Sequence, residues 1–203
     1  NIKLDTSFFR HLMDRDDNGV YVKMGDLIRI SKNNNLNSES LRNFVLLGDP
    51  AQNIAFPEMK VNTREINHVM PDEADTVQGM SNLVIKGRIE DEGGHMLTSF
   101  EGSVNCKIFD KPVTYRTLGN RPGETYPEDF KMQNSLIFNG DAPVTHGEFI
   151  VNCIIPKGIS LPFGSGKISY YARSDELDAN GYYDKIVVGG MENFSPVNPG
   201  PDI

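Results

Sequence analysis

The chain has 203 residues, 38% of them hydrophobic, with a formal net charge of −8 and a pI near 5.0. That length and apolar content suit one large domain, or a small piece beside one sandwich of ordinary size. The acidic balance excludes nucleic acid as a partner, because phosphates call for a basic footprint. No apolar run approaches the ~20 residues of a membrane span, and no signal peptide stands at Asn1, so any export signal was removed or lies outside this piece.

Taken in chain order, Thr6 is placed to cap an apolar helix through Phe8, Phe9, Leu12 and Met13. A second helical stretch fits Val22 to Ser31, where Leu27, Ile28 and Ile30 cluster, and the asparagines from Asn33 to Asn35 end it. Leu41 to Leu47 then leads into a strand. The continuous apolar run from Phe44 to Leu47 is typical of a strand covered on both faces. Gly48, Asp49 and Pro50 force a turn, since the residue before a proline is pushed out of the helical region. The short segment ahead of this run cannot build a sheet to cover it, so the chain reads as cut from a larger protein.

The chain passes through Ala55, Phe56 and Pro57, and from about Val61 onward the grammar changes from helical to alternating. Met59 to Ile66 fits an edge strand, and Pro71 to Met80 an acidic linker. Leu83, Ile85, Gly87 and Ile89 alternate, an acidic turn runs from Glu90 to Gly94, and the Cys106 strand follows. Further strands are expected at Val113 to Leu118, Leu136 to Phe138, Phe149 to Ile155, Ile168 to Ala172 and Ile186 to Val188. About seven to nine short strands with frequent turns predict a mainly β fold, an immunoglobulin-like β-sandwich, with a jelly roll as the alternative. The proline- and glycine-rich tail, residues 193–203, reads as a linker to a further module.

The two cysteines, Cys106 and Cys153, are too few for a disulfide scaffold and lack the spacing of a zinc or redox site. Cys106 shares a strand face with Val104 and Ile108, and Cys153 shares one with Val151 and Ile155, so both are expected to point into the core as free thiols, with a disulfide left open. Asp14, Asp16, Asn18 and Gly19 match the first half of a calcium-binding EF-hand loop, but its twelfth position is Gly25 rather than a bidentate glutamate, with Asp26 one place late. A polar turn between helices is the favoured reading. The acidic loop from Asp175 to Gly181 reads as a hairpin turn.

His146 and Gly147 beside Cys153 imitate a thiolate–imidazole dyad. Seven residues of extended strand would hold the two roughly 20 Å apart, which argues against it. His11, His68 and His95 have no ligand-spaced partners, and Tyr170, Tyr171, Tyr182 and Tyr183 read as strand and edge fillers before a sugar platform. No catalytic residue, cofactor or metal is expected in this chain.

Four segments taken in order carry a resemblance: YVKMGDLIRISKNN, NFVLLGDPAQNIAFP, FNGDAPVTHGEFIVNCIIPKGI and GSGKISYYARSDELDANGYYDKIVVGG. Through them nearly the whole chain resembles the C-terminal part of the gingipain-like cysteine peptidase family, and within it the PorU-type sortase branch of the type IX secretion system. The resemblance implies that residues 1–57 are the tail of a caspase-like α/β catalytic domain, that 58–192 form the immunoglobulin-like sandwich, and that 193–203 are the linker. It also implies that the catalytic histidine and cysteine lie upstream, so no catalytic role carries over to any residue here. The implied setting is an exported protein of a Gram-negative cell surface or outer membrane, partnered by its own catalytic domain and by secretion-system proteins.

Two function classes follow. One is a non-catalytic portion of such a peptidase or sortase, supporting or docking its catalytic domain. The other is a self-standing adhesion or carbohydrate-binding sandwich.

Overall fold

The computed structural model describes residues 2–35, 43–74, 76–121, 123 and 126–192, and the chain divides into two compact units, Asn1–Phe56 and Pro57–Ile203. The tail expected to act as a linker, 193–203, lies outside the described residues, as do Leu41 and Arg42.

The first unit is built on two helices, α1 (Ile2–His11) and α2 (Met24–Asn33). Leu4 and Ser7 on one, and Leu27 and Ser31 on the other, recur at helical spacing and are buried. Helix α1 begins ahead of Thr6, which therefore sits inside the helix; Asp5 in the first turn suits the positive end of the helix dipole. Helix α2 begins two residues after Val22, because the turn around Pro50 takes its first amides: Met24 N–H donates to the Gln52 carbonyl and Gly25 N–H to the Pro50 carbonyl, each at 2.9 Å. A Cβ at Gly25 would lie 2.7 Å from the Pro50 Cβ, so the close approach requires glycine there.

The turn at Gly48–Pro50 forms as expected, with the Asp49 carboxylate accepting the Ala51 N–H at 2.8 Å. The strand expected before it does not. Phe44 to Leu47 forms no strand ladder among the described residues; Lys32 donates to the Phe44 carbonyl, and Val45 and Leu47 are 72% and 92% exposed. An apolar run becomes a strand only when a neighbouring strand takes its backbone hydrogen bonds.

The second unit is mainly β. Its strands are β1 (Met59–Ile66), β2 (Val77–Gly79), β3 (Asn82–Glu90), β4 (Gly102–Phe109), β5 (Val113–Arg116), β6 (Asp129–Met132), β7 (Leu136–Thr145), β8 (Glu148–Ile154), β9 (Gly164–Ser165), β10 (Lys167–Arg173), β11 (Asp178–Tyr183) and β12 (Val187–Met191). Seven of them close into one sheet in the order β1-β11-β10-β4-β7-β8-β3, with a small sheet β2-β12-β9 and a separate hairpin β5-β6. Two separate sheets were expected; the observed ring closes through two thin seams. β7 meets β8 only at Val144 and Thr145, and β1 meets β11 only at Met59 and Lys60.

Alternation places the core as the sequence indicates. Leu83, Ile85 and Ile89 of β3, Val104, Cys106 and Ile108 of β4, and Ile168, Tyr170 and Ala172 of β10 face inward. Gly87 sits opposite Phe149 in the β3–β8 ladder, and a Cβ there would collide with the Phe149 ring, so the glycine makes room for that buried ring.

Several expectations are corrected. β1 is no edge strand, since it pairs with β3 on one side and β11 on the other. The stretch from Pro71 to Met80 holds a single 3-10 turn (Pro71–Glu73) and β2. β6, β9 and β11 were not foreseen: β6 is only four residues long and exposed throughout, β9 is two residues long, and β11 contains Gly181, which reads as a breaker.

Candidate functional site

The seam between β1 and β11 is where the second unit opens. The two strands run parallel and pair at Met59 with Ala179 and at Lys60 with Asn180. A Cβ at Gly181 would lie 2.0 Å from the Val61 carbonyl oxygen, so the approach at the seam depends on that glycine. Ladder pairing then stops, and a groove of about 780 Å³ lies between the strands. Through the seam its floor is the buried pair Thr63 and Tyr170, whose hydroxyls are 2.8 Å apart.

The wall of the groove carries a carboxylate held in place. Glu90 is 6% exposed; Arg88 donates to one of its oxygens, and the Asn62 side-chain amide donates to the other at 3.2 Å. The rim carries Lys60, Lys167 and Tyr182, the last 70% exposed. Lys167 also rests over the Phe109 ring, 4.9 Å from its centroid. A second groove of about 570 Å³ lies over β1, β3 and β8, where Lys86 and Glu65 already satisfy each other at 2.7 Å.

The four tyrosines separate by strand parity. Tyr170 is buried, and Tyr183 donates its hydroxyl to the Pro71 carbonyl at 2.7 Å. Tyr171 and Tyr182 face outward from adjacent strands. Because Tyr171 pairs with Asn180 and Ser169 with Tyr182, the two rings are diagonal neighbours, a spacing of roughly 7–8 Å in a sheet. The Tyr171 hydroxyl donates to Asp178 at 3.2 Å, and partial desolvation of this exposed ring, with that carboxylate beside it, holds its pKa above the ordinary value.

The cysteine–histidine dyad is not assembled. His146 lies in the turn before β8 at a φ of 51°, its N–H donating to Glu101 at 2.8 Å, while Cys153 is near the far end of β8. Cys106 and Cys153 are both free thiols. Cys106 is buried as expected; Cys153 is only half-buried, because β8 lacks a partner on its β7 side at that point. Burial pushes the Cys106 thiol up to about 12 and the Cys153 thiol to about 11, so both stay protonated and weakly nucleophilic near neutral pH.

The EF-hand-like segment is a polar turn. Asp16 accepts the N–H groups of Asn18 and Val20 at 2.9 and 3.0 Å, Asp14 holds His11 at 2.7 Å, and Arg15 bonds the Gly19 carbonyl and the Tyr21 hydroxyl. The acidic loop turns at Ser174 to Leu177 and passes into β11. Among the described residues no group of three or more His, Cys, Asp or Glu stands close enough to hold a metal ion. None of their helices is long and apolar enough to cross a membrane.

Reading the sequence alone missed Asn62, Glu90 and a second buried acid, Asp110. Glu90 carries a signal in hindsight, as the last residue of the β3 alternation and the outward neighbour of Arg88. Asn62 has no signal of its own, since its role arises from the register that sets β1 against β3.

No protein-family model matches the chain, and no curated protein sequence does. Among solved structures, the chain is similar to the crystal structure of dimeric latent PorU from Porphyromonas gingivalis: TM-score 0.60, 25% sequence identity, 93% of this chain and 18% of that one. The chain is PorU-like in structure, and it spans less than a fifth of that protein's length. Spo0M, a sporulation control protein from Bacillus subtilis, aligns over 67% of this chain and 51% of its own at 12% identity, with a TM-score of 0.36, too loose a likeness to bear on fold or function.

Proposed function

We propose that the chain is the non-catalytic C-terminal portion of a cell-surface, gingipain-like cysteine peptidase or sortase that processes type IX secretion cargo, and that it supports or docks the catalytic domain. The observation that carries this reading is the likeness to PorU along 93% of the chain, on the same protein to which the four sequence segments point. In this reading residues 1–57 are the tail of a caspase-like domain, 58–192 an immunoglobulin-like sandwich, and 193–203 a linker.

Three features support it. Phe44, Val45 and Leu47 are exposed and their run forms no strand ladder among the described residues, which leaves it available to a neighbouring sheet. The boundary between the compact units falls beside Pro57. The two seams divide the ring into a three-strand face, β8-β3-β1, and a four-strand face, β11-β10-β4-β7, as a flattened sandwich would be divided.

The test is an in-frame deletion of residues 58–192 from the parent gene in its own bacterium. Export of the truncated parent with loss of cargo maturation is expected. Normal maturation of cargo by the truncated parent overturns the proposal.

A further inference from the structure

We propose that the groove at the β1–β11 seam, together with the outer face of β10 and β11, binds an acidic oligosaccharide, a glycan carrying uronate carboxylates. This goes beyond the reading above and does not rest on it.

Glu90 and Asn62 supply hydroxyl recognition. Each Glu90 oxygen has one donor, from Arg88 or Asn62, and a carboxylate oxygen accepts two. The Asn62 carbonyl and its second N–H are further partners, so vicinal sugar hydroxyls would meet an acceptor and a mixed donor–acceptor side by side. Because the carboxylate is buried and fixed by two donors, little side-chain entropy is lost on binding.

Tyr182 supplies the stacking surface. Its ring is exposed on the groove rim and shares a sheet face with Tyr171. An exposed aromatic face beside polar groups offers apolar contact to one side of a pyranose ring.

Charge complementarity selects an acidic ligand. The chain carries −8 overall, yet Lys60 and Lys167 both line this groove, and Lys107 lies opposite Ser169 one strand further on. The acids of the same face each hold a hydrogen-bond donor, Glu90 from Arg88 and Asn62, Asp178 from Tyr171, and Asp141, diagonal to Lys107, from Asn105. Cations gathered at one place on an acidic protein attract an anion there.

The full chain would be titrated with a hexamer of galacturonic acid, a neutral glucose hexamer and a glutamate hexapeptide. The readout is intrinsic tyrosine emission, since the chain has seven Tyr and no Trp. Saturable binding of the uronate hexamer is expected, with the neutral glycan about tenfold weaker and the peptide weaker still. Tyr182→Ala should weaken uronate binding about tenfold at an unchanged melting temperature, and Tyr182→Phe should retain it. Lys60→Gln with Lys167→Gln should erase the preference for uronate over the neutral glycan. Absence of saturable uronate binding, undiminished binding in Tyr182→Ala, or equal binding of the hexapeptide overturns the proposal. A nuclear magnetic resonance titration that places uronate-induced shifts away from Asn62 and Asn180 does so independently of tyrosine emission.

Discussion

The hydroxyls of Thr63 and Tyr170 meet at 2.8 Å inside the closed sheet, joining β1 to β10, which are not neighbours in it. Tyr170 also packs on Phe149, ring centroids 5.6 Å apart, so one side chain ties three strands. Burial, with the Cys106 thiol nearby, pushes the Tyr170 pKa far above its ordinary value, and the hydroxyl stays neutral. Tyr170→Phe leaves the buried Thr63 hydroxyl without this partner, an expected loss of about 1–3 kcal/mol. The double variant Thr63→Val with Tyr170→Phe should lose clearly less than the sum of the singles, since it removes both partners. Chemical denaturation of all four proteins checks this, and simple additivity would refute the coupling.

Asp110 and Lys111 form a second tie, beneath the small sheet. Lys111 Nζ lies 2.6 Å from the Asp110 carboxylate and also donates to the Ser160 and Val188 carbonyls, while Ser160 N–H donates to Asp110 at 3.0 Å. Burial alone would raise the Asp110 pKa; the hydrogen bonds from Lys111 and Ser160 outweigh it and hold the carboxyl below its ordinary value. A folded pKa below the unfolded one contributes stability that is fully present above about pH 4 and lost as pH falls through the folded value. Asp110→Asn should destabilise by on the order of 3 kcal/mol at neutral pH, because it breaks a buried pair. The gap from wild type should narrow below about pH 4. Urea midpoints measured across acid pH give the comparison, and a gap constant down to the lowest pH would show that the carboxylate charge plays no part.

The thiols should be slow to react. With a pKa of about 12, Cys106 carries on the order of one thiolate in 10⁴ at pH 8, and its side chain is buried besides. Cys153, half-buried at the open side of β8, should label first, and Cys106 only when the chain unfolds. Cys106→Ala should cost about 1 kcal/mol and Cys106→Asp several. Rapid labelling of Cys106 in the folded chain, read by intact mass, would mean that the β4 register is wrong.

Much of this fold is legible in the sequence because alternation reports burial directly. Leu83, Ile85, Ile89, Val104 and Ile108 stand inside, as their period of two requires. What is not legible depends on distant partners. Phe44 to Leu47 carries the composition of a buried strand, yet pairing decides whether it becomes one. Gly25 breaks the calcium pattern, and its actual use, admitting Pro50 to the start of α2, lies twenty-five residues along the chain. The groove depends on where β1 and β11 cease to pair, which Gly181 and Val61 set together. Glu90 is conspicuous as an acid at a strand end two residues after Arg88, but only the register with β1 shows that Asn62 joins Arg88 in holding it.

The central claim, that this chain supports a peptidase without being one, is tested most directly by incubating the intact chain with arginyl, lysyl and cargo-tail peptides and following cleavage by mass spectrometry. A cysteine peptidase needs a thiolate beside an imidazole, whereas here His146 stands in the turn before β8 and Cys153 near its far end. The account predicts cleavage no faster than in buffer, unchanged in Cys153→Ala and His146→Ala. Turnover by the wild-type chain that disappears in either variant would contradict it.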